Sequence, residues 1–244
     1  MLRNSRILPG NGCSPRCFNA ASANLGAPTD LDKIEVHGVH VTGYDPKTSR
    51  TATKTDALLR DTPQSISVVT EELIKDTAMN SMGDVVRYMP GITMAQGEGN
   101  RDQITLRGQN TTADFYLDGL RDDTQYYRSL YNIERVEVLK GANALIFGRG
   151  GGGGVVNRVS KAPEYDRTRV GASGAVDTFG AWTLAADLGA PLSDTVGTRL
   201  NAAYEEFDNH RQYYGGHFIG LTPTIGAQLG EATTLTATYE YAED

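Results

Sequence analysis

The chain has 244 residues, room for one or two domains, and a net charge of −7 with scattered acidic residues. No basic stripe marks a nucleic-acid surface, and nowhere do about 18 consecutive apolar residues form a membrane-crossing helix. Hydrophobic content of 39% is low for a soluble core of this length, and 28 glycines are many; both fit a β-rich protein, soluble or of the transmembrane-barrel type, whose alternating strands escape hydropathy windows.

Residues 1–31 are polar, rich in Gly, Pro, Asn and Ser, and without period, so they read as a disordered tail. Cys13 and Cys17 fall in this tail and read as incidental thiols; two cysteines do not complete a zinc site. The tail has arginines but no apolar core of an export signal, so no signal peptide is evident. From Asp32 to Gly43, Ile34/Val36 and Val39/Val41 give two short alternating patches, extended rather than helical. Tyr44 to Asp61 reads as a polar linker.

A small mixed α/β domain is expected over residues 51–162. Gln64 to Thr70 reads as a strand, and Thr70 followed by Glu71 and Glu72 as a helix start, because acidic side chains favour the positive helix N-terminus. Ser81 is placed to cap a second helix with Val85, Val86 and Met89 on one face, ended by Pro90-Gly91. Ile104–Leu106 is a short strand stopped by Arg107-Gly108. Phe115–Leu117 is another, turned by Asp118-Gly119. Arg135–Leu139 and Val155–Val159 are β-branched runs on either side of Gly148–Gly154, where six of seven residues are glycine. Those glycines formally satisfy GxGxxG, but a strand follows instead of the helix that would hold a pyrophosphate. No Gly-Lys-Ser/Thr follows either, so nucleotide binding is set aside.

After Pro163 the period changes to two. Val170, Ala172 and Val176; Trp182, Leu184, Ala186 and Leu188; Leu200, Ala202 and Tyr204; Ile219, Leu221 and Ile225; and Leu235, Ala237, Tyr239 and Tyr241 each alternate with small or polar residues. Five such segments of about ten residues carry the lipid-out, lumen-in pattern of an outer-membrane barrel; a soluble antiparallel sheet alternates likewise, but its strands are usually shorter. Short links near Ser193-Asp194 and Gly230-Glu231 should face the periplasm, and Asp208–His217 the exterior.

Five motifs stand in order: Asp61-Thr62-Pro63-Gln64-Ser65, Val85-Val86-Arg87-Tyr88-Met89-Pro90-Gly91-Ile92, Ile104-Thr105-Leu106-Arg107-Gly108, Asp114-Phe115-Tyr116-Leu117-Asp118-Gly119, and the unit Ile133–Lys161. Together they resemble the plug domain of TonB-dependent outer-membrane receptors, with details closer to ferric-siderophore than cobalamin receptors. Ala142 stands where the family usually has proline. The resemblance implies an α+β plug (51–162) followed by the first ~5 antiparallel strands (163–244) of a transmembrane β-barrel that in the family has ~22 strands. Five strands cannot close a barrel, so the chain reads as a fragment without transport of its own.

The resemblance also implies partners and sites. Residues 32–50 would hold the TonB box and linker, with Asp32, Lys33, Ile34, Glu35 and Val36 (or nearby Val39–Thr42) pairing with a strand of the TonB periplasmic domain. Arg107, Gln109, Tyr126 and Tyr127 lie in segments matching the ligand-facing plug loops, and arginine and aromatic side chains suit a bulky anionic chelate. They also fit structural roles, Arg107 as a plug–wall ion pair and the tyrosines as plug core. Glu134, Arg135, Glu137 and Lys140 are expected to form plug–barrel ion pairs. The ligand would be a ferric siderophore, its iron held by the chelator, so no cofactor and no protein metal ligands are expected; outer-membrane lipid is the other partner. No nucleophile elbow, HExxH or Cys–His pair suggests an enzyme. Receptors for cobalamin or carbohydrate, a passive porin and a plug-only periplasmic binding module are the alternatives.

Overall fold

The computed structural model describes residues 43–55, 57–141, 146–148, 153–208, 213–230 and 233–244. The tail 1–31 and the segment Asp32–Val36 lie outside them.

Local chemistry starts the helices where the sequence predicts. Thr70 ends β1 (Ile66–Thr70) and its hydroxyl accepts the Leu73 N–H, opening a short helix over Glu71–Asp76. Ser81 and Asp84 form a reciprocal capping box on the helix Met82–Arg87, whose Val85 and Val86 are fully buried. Tyr88 caps its C-terminus, so the helix stops just short of Pro90. Asp118 and Gly119 both take positive φ (52° and 84°), the tight-hairpin geometry joining β5 (Phe115–Leu117) to β6 (Leu120–Arg121). Two strands escape the sequence reading: β2 (Ile92–Ala95) and β4 (Gln109–Thr111), which flank β3 (Gln103–Leu106) in a three-stranded sheet. β4 is polar and mostly exposed, and β2 is a run of only four residues in which Ile92 and Met94 alternate with Thr93 and Ala95, too short for its period to stand out directly after the Pro90-Gly91 helix stop.

The main plug sheet has the order β1-β7-β8-β5-β6, with β7 (Ile133–Lys140) and β8 (Gly154–Ser160) at its centre and β5 running parallel to β8. One face, Val136, Val138 and Val156, packs on Phe115, Ile104 and the helices. The other carries Arg135, Glu137 and Asn157 beside Leu139 and Val155. That face is covered by residues 43–55: Ser49 and Ala52 are buried, Ser49 donates to the Glu137 carboxylate, and Ala52 packs against Tyr116, Leu139 and Val155. The expected polar linker is thus in good part plug, because the buried charges of β7 need a polar lid. At the end of the glycine run, a side chain on Gly153 would stand 2.3 Å from the Leu106 carbonyl oxygen.

The wall is a single antiparallel sheet of β9 (Arg169–Val176), β10 (Trp182–Ser193), β11 (Val196–Asp208), β12 (Gly215–Gly230), β13 (Thr233–Thr238) and β14 (Tyr241–Glu243). β10, β11 and β12 run 12, 13 and 16 residues, the length of membrane strands rather than of soluble ones. Leu184, Leu188, Leu221 and Ile225 are exposed on one face, whereas Asp187, Arg199, Asn201 and Thr222 are buried against the plug on the other. The links alternate in length, 177–181 and 209–214 at one end, 194–195 and 231–232 at the other, which sets the first end outward. The fifth sequence segment is split in two. Tyr239 donates its N–H to the Pro223 carbonyl on β12, and Pro223 has no N–H to return. The ladder breaks there, and Glu240 in the gap reaches inward to accept from Asn132 at 3.1 Å.

Candidate functional site

At the outward end of the plug, the segment leaving β6 curls around one arginine. Arg128 has no exposed side-chain surface. Its guanidinium donates to the carbonyls of Asp122 (2.9 Å), Thr124 (2.7 Å) and Tyr126 (3.3 Å) and to the Asp122 carboxylate (3.1 Å). It lies 3.9 Å from the Phe115 ring centroid and 4.6 Å from that of Tyr126, within cation–π reach. Arg158, from β8, donates to the same carboxylate (2.6 Å) and to the Tyr126 hydroxyl (2.8 Å). Asp102 accepts the Arg128 backbone N–H at 2.9 Å. Burial pushes the Asp102 carboxyl and the Tyr126 phenol up, and the Arg128 guanidinium down, from their ordinary values.

The expected ligand-facing residues are therefore not one cluster. Tyr126 is tied by its hydroxyl into the arginine hub. Tyr127 is half-buried and raised in pKa by burial and then by the neighbouring Tyr214 phenol of the wall, whose ring is 5.9 Å from Phe207. Arg107 and Gln109 sit beyond the other end of β3. Asp102 N–H bonds the Tyr126 carbonyl, and the strand then runs roughly 13 Å to Leu106 at about 3.3 Å per residue. Arg107 lies over Gly141 with Lys140 beside it, and its positive charge adds to burial in lowering the Lys140 pKa. Gln109 is exposed on β4.

The residues expected to pair plug with barrel find partners inside the plug. Glu137 is fully buried inside the plug, with Arg135 (2.8 Å), Asn157 (2.9 Å) and Ser49 on its carboxylate. Arg135 also bonds Glu134, and Lys140 donates to Ser67 on β1. β7 is buried along its whole length, and the bonds named here for its charges all go to plug residues. Contacts from plug to wall are made by groups on either side of β7 in the chain. Lys161 donates to the Tyr131 carbonyl (2.8 Å) and sits 3.1 Å from Glu71 and 3.5 Å from Asp187 of β10. Asp187 accepts two bonds from Arg199 of β11 (2.8 and 2.7 Å), and Arg199 reaches the Ala162 carbonyl. Glu164 pairs with Arg167 and Arg169 and bridges in the backbone to Thr198. Gly197 leaves the space this approach requires, since a side chain there would stand 2.3 Å from the Glu164 carbonyl oxygen. Higher up, Tyr131 and Asn132 bond Thr222 of β12. Burial holds the Lys161 ammonium below its ordinary range. It would also raise the Glu71 carboxyl, but Lys161 and Lys75 bring that group below the usual carboxylate value.

Sequence reasoning missed Arg128, Arg158, Lys161, Asp187 and Arg199. A signal existed for two: Arg158 interrupts the apolar run Val155–Val159, and Asp187 stands on the polar face of a long strand. An apolar cleft of about 680 Å³ bordered by Val170, Leu188, Leu200 and Ile225 lies on the outward, lipid-type face, not over the plug. A second, of about 650 Å³, opens at the outer rim between Tyr204, Phe207, Tyr214 and His217. On the outward face of that rim, Trp182 and Tyr204 stack at 4.9 Å.

Residues 58–155 match the model of the TonB-dependent Receptor Plug Domain family. The chain is 34% identical over 231 residues to the probable TonB-dependent receptor BfrD of Bordetella pertussis, covering 88% of this chain and 29% of that protein. It is 32% identical over 193 residues to the probable TonB-dependent siderophore receptor PiuA of Acinetobacter baumannii, covering 77% and 26%. Among solved structures, the pyoverdine outer membrane receptor FpvA from Pseudomonas aeruginosa PAO1 bound to pyoverdine superposes with a TM-score of 0.75 at 26% identity, over 88% of this chain and 33% of the other. The chain thus spans less than a third of the length of BfrD or PiuA.

Proposed function

The chain belongs to the TonB-dependent receptors, with their plug and strands of their outer-membrane barrel, and on that premise we propose that it serves ferric-siderophore uptake across the outer membrane. The observation that carries the reading is the seating of the plug. Its sheet is bonded through Lys161, Tyr131 and Asn132 to the polar face of a wall whose other face is apolar. A passive pore would need no such plug, and a free-standing plug no such wall. The names borne by PiuA and the pyoverdine receptor support siderophores over cobalamin or sugars. Iron enters as cargo inside its chelator, and the protein acts as a receptor rather than a catalyst. The test is a titration of the membrane-embedded protein with a panel of ferric chelates, cobalamin and oligosaccharides, read by tyrosine and tryptophan fluorescence. Saturable binding of a ferric chelate supports the reading; saturable binding of cobalamin or a sugar alone overturns it.

The energy source in this reading is TonB, and the partner segment is Asp32–Val36. Pairing by strand addition rests on main-chain hydrogen bonds, so most side-chain changes there are mild and Ile34→Pro or Val36→Pro is severe. Each lost bond weakens association by about 0.5–1.5 kcal/mol. Retained association of the TonB periplasmic domain with both proline variants would move the coupling segment elsewhere, to Val39–Thr42 for example.

A further inference from the structure

The plug meets the exterior with two segments, 96–102 between β2 and β3 and Asp122–Arg128 after β6. Loops of this length, exposed at residues 123–125 and 96–100, have no ladder to hold them. Here both converge on Arg128. Its guanidinium gathers three carbonyls and one carboxylate of its own loop. Its backbone N–H goes to Asp102, and the Asp102 N–H goes to the Tyr126 carbonyl, so the end of the first loop is clipped to the second. Arg101 adds a bond to Gln125 across the gap. A lysine could supply the charge but not this set: the acceptors are spread over the two edges of a planar fork, and the plane is stacked on Phe115.

We propose that Arg128 is the positioning residue of the receptor: it welds the two outward loops into one preformed surface that presents Gln125 and Tyr127 to the ferric chelate. This rests on the siderophore reading for the identity of the ligand, but the weld itself does not. A surface ordered beforehand spares the ligand the cost of ordering it. Loosening two or three side chains of that surface should raise Kd roughly ten- to a hundredfold.

The experiment compares the chain with its Arg128→Lys and Asp102→Ala variants in detergent micelles. Amide hydrogen exchange is read segment by segment, followed by titration with ferripyoverdine and a ferric tris-catecholate. The expected result is exchange at least tenfold faster in both loops of Arg128→Lys, with β7 still protected. Asp102→Ala, which removes the acceptor of the Arg128 N–H, loosens 96–102 first and decides the matter if Arg128→Lys does not fold. Kd for whichever chelate binds should rise while the number of sites per chain stays the same. Unchanged loop exchange, or equal loosening of loops and β7, overturns the proposal, because Arg128 is then a bystander or a general core residue. Binding of neither chelate by the unmodified chain counts against the siderophore reading and leaves the exchange result to judge the weld.

Discussion

Replacing Asp187 by asparagine tests the plug–wall junction most directly. Around it five cations (Lys75, Lys161, Arg167, Arg169, Arg199) face three anions (Glu71, Glu164, Asp187). The Asp187, Arg199 and Lys161 side chains are only 11%, 2% and 6% exposed, so solvent cannot screen the loss. Asp187→Asn keeps the size, removes the charge, and leaves two buried cations beside an amide. Breaking a buried pair from one side costs about 3–5 kcal/mol. Lys161→Met removes a cation from a junction that has them in excess. Glu71 keeps Lys75 at 2.7 Å and Asp187 keeps Arg199, so the cost falls to about 1 kcal/mol, near the loss of the hydrogen bond to the Tyr131 carbonyl. The assay is urea unfolding in micelles followed by the fluorescence of Trp182, the one tryptophan of the chain and a member of the same strand. With a slope of about 2 kcal/mol per molar, the midpoint should fall by about 1.5–2.5 M for Asp187→Asn and about 0.5 M for Lys161→Met. A drop for Lys161→Met as large as that for Asp187→Asn would refute the argument from excess cations.

Three further outcomes are expected. Gly153→Ala drives a methyl against the Leu106 carbonyl and should cost about 1–3 kcal/mol or more in urea unfolding, whereas Gly230→Ala, with nothing near it, should stay within about 0.5 kcal/mol. The Tyr131 phenol, pushed up to about 12 by burial, should ionise last in an ultraviolet titration; the stability it contributes is present below pH 10 and is lost as pH rises towards 12, and Tyr131→Phe should remove that late phase. Glu71 is held below the ordinary carboxylate value, so its contribution is present above that value and is lost as pH falls from it through the lowered value of the folded state; Glu71→Gln should flatten the acid limb of the stability curve.

Much of the fold is written in local pattern. Caps at Thr70 and Ser81, the turn at Asp118-Gly119 and the period-two wall strands each declare themselves within a few residues. The site is less legible because its chemistry is non-local. Nothing near Glu137 in sequence says that Ser49 and Asn157 will cover it, so its alternation with valines read as a strand with one face to the wall. Arg107 and Tyr126 belong to neighbouring motifs, yet β3 separates them. In sequence Arg128 is one charge in a polar loop; only its enclosure by three carbonyls marks it out. Pro223 was visible, but that it would split β13 from β14 depended on which neighbour its missing donor faced.

The strand order of the plug has a consequence for synthesis. β1 emerges early but pairs only with β7, Thr70 opposite Arg135, and β5 waits for β8. Closing the roughly 65-residue loop between β1 and β7 costs on the order of 4 kcal/mol of chain entropy before any contact repays it. The wall hairpins, by contrast, close over a few residues and should form in microseconds. Nascent chains will therefore carry an unpaired, β-branched β1 past the point where most of the plug has been made. Slow, non-local pairing of this kind leaves an apolar strand exposed while the rest of its sheet is being made, open in that interval to pairing with other chains.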